Sequence, residues 1–312
     1  MATWKQETTL AVPDRRNPEN RTNTQRTLHR HFDTYGEFVD YIEALDYKEG
    51  WADQSWNYRG DYKWTLGKTF LQARKMATEG WPEGREKMAG KMSDALASHE
   101  LMEEREDWTN DHWGFAPNVD AYLAGHPRHM LRPETVEQPT ERVVRLRVNL
   151  ACSATVNGEQ KATWGTAVAF LVDQLENCGK QVEVTACYLI NGVAQLEGMP
   201  KYQRDGAYLN TIVIKAAGEP LDLDRLAFMV AHPAAHRRLL FKLRESEQEL
   251  CSYGGPQRMP KVIETLEEND EEVVTIEGVE FNRNYSYDID KAIERVTALY
   301  NEQCNLQSEL AD

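Results

Sequence analysis

Long hydrophobic runs are missing from this 312-residue chain: no apolar stretch approaches the ~20 residues that cross a bilayer, and Met1-Ala2-Thr3-Trp4-Lys5 opens no signal-peptide core. The expected partners therefore exclude a membrane, and the expected compartment is the cytoplasm. Cysteine is scarce as well. The five thiols, Cys152, Cys178, Cys187, Cys251 and Cys304, are odd in number, widely spaced and set mostly among apolar neighbours. That pattern removes a disulfide framework and a C-x-x-C metal knuckle, and leaves buried thiols as the expectation. Basic charge is in deficit too. With 36 Lys and Arg against 51 Asp and Glu the formal charge is -15, a field that opposes indiscriminate binding to nucleic acid or an anionic surface.

The short motifs of common site chemistry are also absent. There is no G-x-G-x-x-G or P-loop cradle for phosphate and no G-x-S-x-G elbow for a nucleophilic serine. His232 and His236 have i,i+4 spacing, but Pro233 lies between them and Ala234-Ala235 supplies no H-E-x-x-H glutamate, so surface or capping histidines are expected. No metal, cofactor or catalytic residue is assigned on these grounds.

What is present suits a globular protein: 41% hydrophobic residues and eight tryptophans. Residues 1–30 are polar and locally basic through Arg15, Arg16, Arg21, Arg26 and Arg30, which reads as a flexible arm unable to repay its ordering entropy by burial. Residues 31–140 read as an α-rich subdomain containing six of the tryptophans. Thr34 to Glu37 has capping-box spacing, Phe70, Ala73 and Ala77 mark a helix that Gly80 stops, and Pro82 opens another with Met88, Met92, Ala95 and His99 on its face. Asn118 should cap a third helix with Val119, Tyr122 and Leu123 inward. The tryptophans could stack bases, but the acidic run Glu100, Glu103, Glu104, Glu106 and Asp107 would repel a phosphate backbone, which favours a packed core.

Residues 141–312 change period. Val144, Leu146, Val148 and Leu150 alternate as a strand. Trp164, Val168, Leu171, Leu175 and Cys178 then form a helical stripe, and strand-like runs follow at Val182 to Tyr188 and Tyr208 to Ala216. Asp222 or Asp224 can cap the next helix, which Pro233 interrupts. An acidic run from Glu267 to Glu272 precedes a short strand and a terminal helix carrying Ile289, Ile293, Val296 and Tyr300. The order of elements predicts an α/β fold, a Rossmann-like sandwich with crossover helices over a largely parallel sheet, beside the α-rich N-terminal region.

In such a sheet ligands bind beyond the carboxyl ends of strands, which singles out Asn149 to Gly158. The segment Asn149-Leu150-Ala151-Cys152-Ser153 is similar to the D-x-S-x-S turn of von Willebrand factor A-like domains, with an amide and Ala151 where a hard cation would want oxygen ligands; the resemblance implies a degenerate metal site. Asn149, Ser153 and Asp222 are the residues to examine if a dispersed hydrolytic site exists. Arg237, Arg238, Lys242 and Arg244 form the densest basic patch of the folded part, and the following Glu245, Glu247 and Glu249 predict a solvated, salt-bridged face.

Three phrases, Gly67-Lys68-Thr69-Phe70 with Gly80-Trp81-Pro82-Glu83-Gly84, Val119 to Gly125, and Gly218 to Leu226, resemble an uncharacterised family carried by tailed bacteriophages. The resemblance implies a phage-encoded protein made in bacterial cytoplasm and carries over no catalytic residue. The expected function is therefore non-enzymatic, through binding to a phage or host protein or through self-assembly. Two alternatives stay open: an accessory factor for phage replication or transcription whose basic arm contacts single-stranded nucleic acid, and a nucleotide- or nucleic-acid-directed hydrolase.

Overall fold

The computed structural model describes residues 3–11, 22–45, 64–86, 88–90, 108–114, 116–133, 143–191, 206–247, 255–266 and 273–311. Two strands open the chain, β1 (Thr3–Ala11) and β2 (Thr22–Phe32), followed by the short β3 (Trp108–Asp111), β4 (Ala116–Pro117) and β5 (Met130–Pro133). Then come β6 (Val144–Asn149), β7 (Val182–Asn191), β8 (Gly206–Lys215), β9 (Gly255–Pro256) and β10 (Val273–Ile276). The main sheet has the order β1-β2-β8-β7-β6-β10, with β9 also on β7. Strands β10, β6 and β7 are mutually parallel, whereas β8 runs against β7, so the sheet is mixed. This mixed α/β architecture is compatible with a Rossmann-like fold.

A parallel pair cannot be joined by a tight turn, so β6 reaches β7 through the helix Gly158–Asn177. Its start is set by Asn157, whose side chain accepts from the Gln160 amide at 2.8 Å while the Gln160 side chain accepts from the Asn157 amide at 3.1 Å. Two orphan donors are satisfied reciprocally, which fixes where the chain leaves the strand end and turns helical. The helix buries the expected Trp164, Val168, Leu171 and Leu175, and much of its opposite face as well. Gly165 makes this possible: a Cβ there would lie 2.3 Å from the Ala231 Cα. On the same side of the sheet the terminal helix Ile289–Ala311 contributes Ile293, Val296 and Tyr300. Its Gln303 donates to the Thr275 carbonyl and accepts from the Thr275 amide at 2.9 and 2.8 Å, closing the outer edge of β10. The helix Met259–Leu266 covers a second, smaller apolar cluster with Cys187, Leu189, Ala207, Leu209, Val262 and Val273.

The N-terminal expectations need correcting. Residues 3–11 and 22–32 are an antiparallel strand pair, and β2 continues the sheet by parallel pairing with β8 from Arg26↔Gly206 to Phe32↔Ile212. They are not an arm. Thr, Asn and Arg are tolerated there because the ladder comes from a strand some 180 residues later, a pairing no local pattern encodes. Within 31–140, the helices Tyr35–Ala44 and Phe70–Glu79 form as expected, with Phe70, Ala73 and Ala77 buried. Thr69 and Gln72 cap the second, and Gly80 ends it at φ +84, a conformation that favours glycine. Residues 46–63 with Trp51 and Trp56, then Met92, Ala95, His99 and the acidic run 100–107, lie outside the described residues. Beyond it, β3, β5 and β4 make a small antiparallel sheet within the stretch expected to be α-rich. The helix Val119–Leu123 does form, capped by Asn118, but no residue of it is buried.

Candidate functional site

Of the three strand-end residues named from the sequence, two come together. The Asn149 Oδ1 accepts from the Ala151 amide at 2.9 Å, and its Nδ2 donates to the Gln257 carbonyl at 2.9 Å and to Glu277 Oε2 at 3.4 Å. Glu277 also accepts from the Met259 amide at 3.2 Å, and burial raises its carboxyl above the ordinary range. The Ser153 amide donates to Glu280 Oε2 at 2.8 Å, and the Ser153 Oγ accepts from Arg283 at 2.9 Å. Against burial, which alone would raise it, the Ser153 and Arg283 hydrogen bonds hold the Glu280 carboxyl below its usual value. Both residues thus fasten the turn after β6 to the turn after β10.

Asp222 is elsewhere. Because β8 is antiparallel to β7, Lys215 pairs with Val184 near the start of β7 and Ala207 with Asn191 at its end. The chain therefore leaves β8 at the far end of the sheet from Asn149. There Asp222 caps a helix, accepting from the Arg225 amide at 3.0 Å, and lines a cavity of about 290 Å³ with Tyr35, Gly80, Asp224 and Arg225.

The sequence reading missed the buried polar cluster beside Asn149 and Ser153. After the helical turn Leu223–Leu226 the chain forms a π-helical segment Ala227–Ala231, breaks at His232-Pro233, resumes as π-helix over Ala235–Leu240 and ends as the helix Phe241–Ser246. The wider π turns alter which positions face inward, and proline removes a donor at the break. The result corrects two expectations. His232 and His236 are each 1% exposed, and Arg237, Arg238, Lys242 and Arg244 are all buried instead of solvated.

Backbone carbonyls solvate part of this charge. Arg237 donates to the oxygens of Trp64 (2.7 Å), Ser153 (3.1 Å) and Val156, and its guanidinium lies 3.8 Å from the Trp64 ring centroid. Arg238 Nε donates to the Lys68 oxygen at 2.9 Å, and the buried Lys161 Nζ to the Leu150 oxygen at 3.1 Å. The Cys152 Sγ lies 3.3 Å from His236 Nδ1 and 3.8 Å from Arg237 Nη2. Burial, then the charges of Lys161 and Arg237, push the His236 imidazole well below its ordinary value, so it is neutral near pH 7. Burial, with Lys68 and Lys161, takes His232 down to about 3. The His232 Nδ1 accepts from the Ala234 amide at 3.0 Å, its Nε2 has no partner among the described residues, and its ring meets Trp81 edge-on at 4.5 Å.

The candidate nucleic-acid residues divide differently. Arg30 is buried, with its Nε donating to Glu247 at 2.8 Å, so it is a fastening between β2 and the end of the 223–246 segment. Arg26 lies in β2, and Arg15, Arg16 and Arg21 fall outside the described residues. Among the described residues no group of three His, Cys, Asp or Glu side chains is placed to hold a metal. No helix among them is long and apolar enough to cross a membrane.

A second surface feature stands on the small sheet. Trp113, Val119, Tyr122 and Leu123 are 65%, 60%, 62% and 76% exposed, which contradicts the expected inward placement of the last three. Arg132 lies over the Trp113 ring at 4.6 Å and pairs with Asp111 at 3.3 Å.

The fold and these two features define a mixed α/β protein with a buried thiol-imidazole-guanidinium cluster at a strand end and a separate exposed aromatic face. The chain belongs to the family described as Domain of unknown function (DUF7192), which matches residues 14–302. No curated protein and no solved structure matches it.

Proposed function

We propose that the protein acts by protein-protein association, with a second copy of the chain seated on the face formed by Trp113, Val119, Tyr122 and Leu123. The exposure of these four large apolar side chains within residues 113–123 carries this reading, because large apolar side chains left in solvent mark contacts between proteins. Charge selects the partner. Residues 108–133 hold two acids, Asp111 and Asp120, and two bases, Arg128 and Arg132, in a chain of net charge -15. Two copies meeting here bring together the neutral part of otherwise mutually repelling molecules. Trp and Tyr supply much contact area at little entropic cost, and Arg132 over Trp113 adds a polar rim.

On the phrases shared with a tailed-phage family, the chain is read as phage-encoded and working in the host cytoplasm, with the turn after β6 as a degenerate relative of the von Willebrand factor A-like metal turn. Neither detail is needed for the association. Size-exclusion chromatography with light scattering on the full chain tests it. A dimer or larger assembly that Leu123→Asp returns to monomer is expected; a wild type that stays monomeric across the accessible concentration range contradicts it.

A further inference from the structure

We propose that acid switches off the association of two copies, through His112, His126 and His129. The inference rests on the self-association reading above and adds its control. The chain has eight histidines, and these three fall within residues 108–133, the stretch that carries the exposed Trp113, Val119, Tyr122 and Leu123. All three are exposed. The ladder of β3 with β5 ends at Asp111↔Met130, so the chain leaves β3 there as His112 and enters β5 there through His129. At the same end the Asn118 amide donates to the His129 oxygen at 2.7 Å, and Asn118 caps the helix Val119–Leu123. The His129 ring meets the Tyr122 ring edge-on at 5.1 Å, and the His126 amide donates to the Ala121 oxygen of that helix at 2.9 Å. His112 directly precedes Trp113, and its amide donates to Asp111 Oδ1 at 2.7 Å. The three imidazoles thus stand beside the side chains that the contact covers.

Symmetry makes their charge matter. The other charged and titratable groups of the small sheet, its helix and the turn between them are Asp111, Asp120, Tyr122, Arg128 and Arg132. With the imidazoles neutral, the two acids and two bases cancel. Imidazole is the side chain that gains charge between pH 8 and 5, whereas carboxylates hold theirs to lower pH. The His112 amide, and after it Arg132 and Arg128, hold the Asp111 carboxyl below the usual carboxylate range, so it stays ionised. Protonation of the three imidazoles therefore takes this stretch from neutral to a charge of +3. An isologous contact sets a surface against its own copy, so the excess gained by one copy meets the same excess on the other. Like charges juxtaposed in a contact weaken it. Away from the contact acid works the other way. The body as a whole, at -15, becomes less negative as histidines charge, which eases the approach of two copies. The sign of the pH effect therefore separates a local switch from the general charge.

The test is sedimentation equilibrium of the full-length chain at about pH 7.5 and about pH 5.5, on either side of the imidazole range. The variant carrying His112→Asn, His126→Asn and His129→Asn is run beside it, and circular dichroism at both pH values keeps dissociation separate from unfolding. Association of the folded wild type about tenfold or more weaker at the lower pH is expected, with the triple variant unchanged or tighter. A wild type that holds or tightens its association in acid overturns the switch, as does a triple variant that weakens alongside it. A chain that is monomeric at both pH values removes the association itself, and the switch with it. Should the triple variant lose its fold, the wild-type series still decides, because the charge of the whole body predicts the opposite sign.

Discussion

The Arg237 guanidinium is enclosed by the carbonyls of Trp64, Ser153 and Val156, which come from two separate segments of the chain. Removing it takes the donor from three acceptors, one buried and two part-buried, and a buried acceptor left unmade costs about 1–3 kcal/mol. Arg237→Ala should therefore lower unfolding free energy by about 3 kcal/mol or more in urea titration. Arg237→Lys should recover little, because a single ammonium cannot span the three oxygens. His232 makes a pH prediction. Its native value of about 3 lies below the unfolded value of 6.5, so between these the unfolded chain binds a proton that the native chain refuses. Stability is complete above pH 6.5 and falls as pH drops towards 3, by about 2 kcal/mol at pH 5 from this one group. His236 acts in the same direction. Urea midpoints from pH 7 to 5 should show the loss, and His232→Gln should flatten the slope by one proton; a pH-independent midpoint would sink the assignment. At this scale the sequence misled for a physical reason. Four cations followed by three glutamates look amphipathic, while the carbonyls that accept from Arg237 and Arg238 lie about 80 and 170 residues away.

Among the elements, the approach of the helix Gly158–Asn177 to the π-helical segment Ala227–Ala231 depends on a missing side chain. A Cβ on Gly165 would come within 2.3 Å of Ala231 Cα and 2.6 Å of its nitrogen, backbone atoms that cannot swing aside. Gly165→Ala should destabilise by about 1–3 kcal/mol through overpacking. Gly90, around which nothing lies within 4 Å, is the control, and Gly90→Ala should be neutral or slightly stabilising in the same melts. Much of this level was legible in the chain. The alternation of Val144 to Leu150, the stripe Trp164 to Leu175 and the caps at Asn118 and Asp222 all depend on neighbours within a few residues. The strand β2 and the reversal of β8 were not legible, since both are set by pairing across the sheet. Asn149 and Ser153 were rightly placed at one strand end, and that same reversal sent Asp222 to the other.

For the whole molecule, a net charge of -15 sets the background against which any contact between copies must form. Repulsion between the acidic bodies is screened by salt over about 8–10 Å, while burial of Trp113, Tyr122 and Leu123 is not. Raising ionic strength should therefore strengthen self-association; weakening by salt would point to a charge-driven contact instead. Composition and the order of elements showed that a globular α/β protein was to be expected, but not which apolar residues would stay outside, because Val119, Tyr122 and Leu123 have the spacing of a buried helix face. The most direct test places a photoreactive benzoyl-phenylalanine at position 122 of the full chain and maps the cross-linked peptides by mass spectrometry. An isologous contact predicts products joining residue 122 to the segment 108–133 of a second, isotopically distinct copy. Cross-links confined to the same chain, with no mixed-isotope product at any concentration, would contradict the account.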